Sequence, residues 1–150
     1  TKKSWDQIKA LGGDQPKIKP EHLLYFGLRS TEEAEDNVIE DLGIRTYAVH
    51  ETRYRSMAVC LQEAIESLKE VDLIYITFDV DSMDCDLISK GTGTPVSKGF
   101  DPAEIKQLIQ GFISTDKVVC LEVCEINPLL DEKGNKMAET VFEIVNEIFG

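Results

Sequence analysis

The stretch YITFDVDSMD, residues 75–84, places three carboxylates within six positions, directly after a run with the composition of a buried β-strand. Carboxylates this close repel one another, and burying them without a partner is costly. Side chains two positions apart in a strand point to the same side, so Asp79 and Asp81 are expected to converge while Val80 faces away. The stretch therefore predicts a strand that ends in a paired acidic group.

Strand and helix patterns alternate along the chain on both sides of this stretch. Apolar, β-prone runs predict strands over residues 22–28, 44–49, 73–78 and 117–123. The third run is apolar nearly throughout, as in strands that are covered on both faces. Residues 1–20 are polar and interrupted by glycine and proline, which is typical of a connection leading into the first strand.

Four helices are predicted between and after the strands. The first has Ser30 as N-cap, Glu33 as the capping-box partner and Gly43 at its C-terminal end. The second covers residues 54–69, the third begins at Asp101 and Pro102, and the fourth covers residues 138–149. Strands alternating with helices predict an α/β fold with a parallel sheet and helices on its faces.

Acidic residues follow three of the predicted strands. In such sheets functional groups gather beyond the carboxyl ends of the strands. Asp79 and Asp81 follow the third strand, and Glu125 follows the fourth. Glu32 and Glu35 follow the first. The sequence therefore predicts an acidic site at one edge of the sheet.

Two convergent carboxylates at a strand end suit a dication such as Mg²⁺ or Mn²⁺. The alternative is a solvated acidic turn in which the aspartates cap a helix. An EF-hand is excluded because the fifth, sixth and twelfth positions from Asp79 are Met83, Asp84 and Lys90. An acidic receiver-type module fits poorly with the long loop that follows. In that loop GTGTP, residues 91–95, is compatible with a phosphate cradle or with a tight glycine-containing loop.

The composition narrows the class of partner. The chain has 28 acidic and 16 basic residues, a net charge of −12, which disfavours binding to nucleic acid or to an anionic membrane surface. A small cationic ligand or a metal fits this charge better. Four cysteines without a CxxC pair predict buried, reduced thiols and a cytoplasmic protein. No apolar run approaches the roughly 20 residues of a membrane span.

Several motifs together resemble the ureohydrolase family of arginase, agmatinase and formimidoylglutamase, and arginase most. TFDVDSMD resembles its [ST]-F-D-x-D-x-x-D metal motif, GTGTP the loop that follows, and EVCEINPLLD its E-x-N-P block. FGLRS and the later LGI have arginase-like spacing. The resemblance begins near residue 23. It implies that residues 1–150 are the C-terminal portion of a single three-layer α/β/α sandwich with a mainly parallel sheet.

The resemblance also implies the chemistry. Family members use two Mn²⁺ ions to activate water for attack on a guanidino group, and arginase converts L-arginine to ornithine and urea. By resemblance, Asp79 bridges both ions and Asp81 binds one. Glu125 is then a catalytic and substrate-binding residue that pairs with the guanidinium, and Thr94 lies in the guanidinium pocket. Asp84 shapes the loop behind the metal ligands.

Glu32 and Glu35 match positions where arginases bind the substrate α-amino group. Because agmatine lacks that group, these two residues favour arginine as the substrate. The alternative interpretation is that both simply favour a helix N-terminus.

The chain departs from the family pattern in two ways. Cys85 and Lys90 stand where the family usually has proline and a Pro-Gly pair, which weakens the assignment of Thr94. The family's Gly-Gly-Asp-His and Asp-x-His-x-Asp blocks do not occur, and LGGDQP only echoes the first. We therefore expect the isolated chain to be inactive and to bind Mn²⁺ weakly.

Other readings stay open. The complete protein could act as an agmatinase or a formimidoylglutamase, or as a non-catalytic homologue that serves as a binding subunit. By family analogy, it is expected to form a homo-oligomer, either a trimer or a hexamer.

Overall fold

The computed structural model describes residue 13 and residues 16–150. Most of the connection predicted at residues 1–20, including most of LGGDQP, lies outside the described residues. The strands are β1 (Leu24–Phe26), β2 (Arg45–Tyr47), β3 (Ile74–Asp79) and β4 (Val118–Cys124). The helices are α1 (Glu33–Asp41), α2 (Val49–Arg55), α3 (Met57–Ser67), α4 (Pro102–Ile113) and α5 (Lys136–Phe149). Two 3₁₀ turns cover Pro20–His22 and Val80–Ser82.

Every strand pairing in this part of the chain is parallel, which confirms the α/β class. β1 pairs with β2, and β3 pairs with β4 in a register that sets Asp79 opposite Cys124. The four strands form two separate two-stranded sheets. β1 and β3 therefore each keep one edge unpaired among the described residues.

One face of the β3–β4 sheet carries the main core. Phe78 packs in a buried cluster with side chains of α4 and α5, among them Ile105, Leu108 and Ile144. Tyr75 and Thr77 alternate with these inward residues and are exposed. The expectation that the third strand is covered on both faces is therefore wrong for the described residues, because the helices here pack on one face alone.

The helix predicted over residues 54–69 is in fact two helices. Ser56 has a φ of 74°, which interrupts the helical backbone between α2 and α3. Its hydroxyl then accepts a hydrogen bond from the N–H of Val59 and caps α3. His50, at the end of a predicted strand, lies in α2. The sequence hid the break because serine also fits the interior of a helical pattern.

The first helix begins two residues later than predicted. Its N-cap is Glu32 and its capping-box partner is Glu35, so the roles assigned to Ser30 and Glu33 are wrong. The predicted end is confirmed, since Gly43 has a φ of 63° directly after the C-cap. Glycine adopts this left-handed conformation without a Cβ penalty.

All four cysteines are free, as the sequence predicts, but they are not all buried. Cys60 and Cys85 are buried, whereas Cys120 is exposed and Cys124 is half-buried. The difference arises because Cys120 lies opposite Tyr75, in the β3–β4 sheet. Within residue 13 and residues 16–150, no helix has the length and apolar character needed to cross a bilayer.

Candidate functional site

The parallel register of β3 and β4 brings the acidic strand ends together. Asp79 is the last residue of β3 and lies opposite Cys124, the last residue of β4. Glu125 follows directly, so the two acidic positions leave the sheet at the same edge. The parts of the predicted acidic edge that follow β3 and β4 are therefore adjacent in the structure.

Asp79 and Asp81 come together through a turn rather than through strand alternation. Asp81 lies in the 3₁₀ turn that follows β3, while Val80 is fully buried beneath it. The Asp79 carboxylate accepts a hydrogen bond of 2.9 Å from the Asp81 N–H. Asp79 thus caps the turn, as the alternative interpretation allowed, and its second carboxylate oxygen is left for another partner.

Asp81 lies in an acidic, partly desolvated environment. Burial raises the pKa of its carboxyl above the usual value, and the nearby charges of Asp79 and Glu125 raise it further. A hydrogen bond from the Thr92 hydroxyl opposes this rise. A bound cation would stabilise the ionised form of a carboxyl group in such surroundings.

The loop at residues 91–95 closes over this edge. Thr92 is buried and reaches Asp81, and the N–H of Asn127 donates to the carbonyl of Gly91 at 2.8 Å. A Cβ on Gly93 would lie 3.5 Å from a carboxylate oxygen of Glu125, so the loop backbone passes directly beside that side chain. Carboxylates on both sides of the loop disfavour its use as a phosphate cradle.

Asp131 anchors the beginning of the same loop. Its Oδ2 accepts hydrogen bonds from the Ser89 hydroxyl at 2.9 Å and from the Met137 N–H at 2.8 Å. A Cβ on Gly91 would approach that oxygen to 2.6 Å, so the glycine permits the contact. Sequence reasoning missed both Asp131 and Thr92, because no local pattern links either residue to its distant partner.

Glu125 has a backbone conformation that is unusual for its residue type. Its φ is 64°, in the left-handed region that favours glycine. Non-glycine residues held in this region are concentrated at functional sites, where the surrounding structure imposes the conformation. The strain is consistent with a functional role for the Glu125 side chain.

The structure separates the remaining candidates. A cavity of about 1140 Å³ is lined by Asp79, Asp81 and Thr94, whereas Glu32 and Glu35 are not among its lining residues. Glu35 accepts a hydrogen bond of 2.9 Å from the Glu32 N–H in the helix cap. Their role in binding substrate stays a prediction.

Asp84 contacts the main chain of the loop that follows the 3₁₀ turn. Its carboxylate accepts a hydrogen bond of 3.0 Å from the N–H of Asp86.

The residues present fit one side of a metal site. Carboxylate oxygens at Asp79 and Asp81 are the donors that Mn²⁺ accepts, and the acidic surroundings match a dication. Across residue 13 and residues 16–150, however, no group of three histidine, cysteine or acidic side chains is arranged to hold a metal ion. The described residues alone do not form a complete ligand set.

Comparisons with known proteins identify the family of the chain. The Arginase family matches residues 12–150. The arginase of Bacillus caldovelox is 35% identical over 144 residues, which are 95% of this chain and 48% of that protein. The crystal structure of Helicobacter pylori arginase superposes with a TM-score of 0.87 at 37% identity, covering 98% of this chain and 48% of that one.

Bacillus subtilis arginase is 32% identical over 97% of this chain and 48% of its own length. The chain thus spans about half the length of the curated relatives it matches. The match over nearly the whole chain, together with the acidic edge and its loop, shows that the chain belongs to the arginase family.

Proposed function

We propose that this chain supplies one side of the active site of a binuclear manganese hydrolase that converts L-arginine to ornithine and urea. The observation that carries the proposal is the meeting of Asp79, Asp81 and Glu125 at one edge of the β3–β4 sheet, under the loop of residues 91–95. Membership of the arginase family supports the same reaction class.

The proposed roles follow from the contacts. Asp79 and Asp81 would hold the Mn²⁺ ions, with the Thr92 hydroxyl orienting the Asp81 carboxylate. When bound, the metal pair would supply a nucleophile near neutral pH by lowering the pKa of a shared water molecule. Glu125 would accept two hydrogen bonds from the planar guanidinium, a geometry that suits a carboxylate.

Different segments of the chain would bind the two ends of the substrate. Thr94 lines the same cavity as Asp79 and would contact the guanidino end. Glu32 and Glu35 would attract the α-amino group from the N-terminus of α1. Glu35 uses only Oε2 in the helix cap, which leaves its other carboxylate oxygen for an ammonium group.

The rest of the site would come from further polypeptide. Residues of β1 and β3, which each have an unpaired edge among the described residues, line the 1140 Å³ cavity, and one face of the β3–β4 sheet is exposed. Strand edges and sheet faces of this kind are normally covered in a complete α/β domain. Cytoplasmic location and assembly into trimers or hexamers remain part of the proposal.

The test is urea release by the full-length protein with added Mn²⁺. We expect kcat/KM for L-arginine to exceed that for agmatine by at least about 100-fold. Agmatine has no α-amino group and would leave the carboxylates that bind this group without a partner. A preference for agmatine, or for formimidoylglutamate, would make the arginase assignment wrong.

A second candidate is a non-catalytic homologue that serves as a binding subunit. It predicts full-length protein that is folded but hydrolyses none of the three substrates.

A further inference from the structure

Arg29, three residues after β1, contacts main-chain carbonyls of its own segment and of two distant segments of the chain. Its Nη1 donates to the carbonyl oxygens of Gly27 and Ser82, both at 2.9 Å. Its Nη2 donates to the carbonyl oxygens of Asp81, Met83 and Val96, at 2.5, 3.2 and 3.1 Å. Its Nε is buried and has no hydrogen-bond partner in the described part of the chain.

The turn after β3 is wrapped around this guanidinium. Three consecutive carbonyls, those of residues 81–83, face one cation, and Arg29 lies more than 50 positions away from each of them in sequence. Hydrogen bonds from a charged donor are stronger than those between neutral groups. The contact therefore fixes the main chain of the turn in three successive places.

Asp81 is consequently held from two sides. Arg29 binds its main-chain carbonyl, and Thr92 binds its carboxylate. The Val96 carbonyl, just after the loop of residues 91–95, binds the same guanidinium nitrogen as Asp81. One side chain thus sets the position of the Asp81 backbone relative to the loop that carries Thr92.

Arg29 has no ion-pair partner within hydrogen-bonding distance among the described residues. All its hydrogen bonds go to carbonyl oxygens, although Asp84 and Asp81 are near enough to act on its charge. Because both terminal nitrogens are engaged with the backbone, the group is not available to a substrate. Its contribution must pass through the turn.

We propose that Arg29 is a positioning residue, which fixes the turn of residues 81–83 so that the Asp81 carboxylate is presented to metal. The part of this inference that concerns metal binding rests on the proposed function. Lysine cannot replace arginine here, because a single ammonium group cannot span the five carbonyls that the two terminal nitrogens of the planar guanidinium reach.

The test compares Arg29→Lys with Arg53→Lys in the full-length protein. Arg53 is a matched control, since it also binds a main-chain carbonyl, that of Gly99 at 2.9 Å, but contacts no part of the turn at residues 81–83. Mn²⁺ affinity is measured by equilibrium dialysis. Hydrogen exchange is followed at the amides of Met83 and Asp84. The Met83 N–H donates to the carbonyl of Val80 within the turn, and the Asp84 N–H donates to the carbonyl of Phe100.

We expect Arg29→Lys to weaken Mn²⁺ binding by roughly tenfold to 100-fold, as for other residues that orient metal ligands. Exchange at Met83 and Asp84 should accelerate while exchange within α5 stays unchanged, and Arg53→Lys should alter neither.

Wild-type Mn²⁺ affinity in Arg29→Lys would overturn the positioning role. Equal acceleration of exchange in α5 would also overturn it, because it would show a general loss of stability. If the wild-type protein itself binds no Mn²⁺, the proposed function fails. Exchange at Met83 and Asp84 then still decides whether Arg29 holds the turn.

Discussion

The hydroxyl of Thr92 donates a hydrogen bond to the carboxylate of Asp81, eleven positions earlier in the chain. The contact joins the acidic turn after β3 to the loop that closes over it. Thr92 is buried, so its hydroxyl has little access to water as a substitute partner. The orientation of a proposed metal ligand therefore depends on a residue that no metal motif identifies.

Thr92→Val should weaken Mn²⁺ binding to the full-length protein by roughly tenfold. Valine keeps the shape but removes the hydroxyl that orients Asp81, and residues behind metal ligands commonly have effects of this size. Equilibrium dialysis with Mn²⁺ measures the change. Thr92→Ser, which keeps the hydroxyl, is the control and should retain most of the affinity. A Mn²⁺ affinity of Thr92→Val equal to that of the wild type would contradict the orienting role of Thr92.

Asp81→Ala should abolish most urea release and weaken Mn²⁺ binding by more than about 100-fold, beyond the effect of an orienting residue. The matched control is Asp86→Ala, an exposed aspartate in the same loop, which should behave as wild type. Wild-type rates in Asp81→Ala would remove the metal assignment.

Residues 1–150 alone should release no urea from L-arginine and should bind Mn²⁺ far more weakly than the full-length protein. The reason is that the described residues supply two proposed ligands and no arranged group of three. A colorimetric urea assay and dialysis test this. Turnover by the isolated chain would show that the site is complete without further polypeptide.

Glu125→Gly should raise the free energy of unfolding by about 1 kcal/mol while abolishing urea release, because glycine relieves the strain of a φ of 64°. Glu125→Gln is the control. It keeps the backbone strain, so its stability should match wild type within about 0.5 kcal/mol. Chemical denaturation measures both. A glycine variant less stable than the glutamine variant would show that the conformation carries no strain.

Glu51 should stabilise the protein at neutral pH through the two arginines beside it. Hydrogen bonds from Arg45, and then from Arg55, lower the pKa of Glu51 to about 2, against burial, which raises it. A carboxyl with a lowered folded pKa contributes stability above its unfolded value of 4.5. That contribution is lost as the pH falls towards 2.

Glu51→Gln is expected to cost about 1 kcal/mol at pH 7, a modest amount because solvent reaches the ion pairs. The difference from wild type should shrink between pH 4.5 and pH 3. Urea denaturation at each pH measures it. Glu66→Gln, which removes an exposed partner of Lys69, is the control and should have little effect at any pH. A difference that grows as the pH falls would reverse the predicted sign.

Local sequence patterns predicted the order of strands and helices but misplaced one helix cap and missed the break between two helices. The capping box at Asp101 and Glu104 was found because its signal lies within four residues. The first cap was misplaced because Ser30 and Glu33 match the capping-box pattern, whereas glutamate is not a residue that this pattern favours at the N-cap. The local signal is overridden here by the rest of the structure, which the sequence does not display.

The sequence by itself determined the alternation of strands and helices, the parallel class of the sheet and the acidic character of its edge. Periodicity and turn chemistry act over a few residues, so a single chain displays them. Only the tertiary structure decided that Thr92 and Arg29 hold Asp81 and that Asp131 anchors the loop. These contacts join residues 11 to 52 positions apart, and they exist only because the packing of β1, β3 and the loop brings the chain segments together.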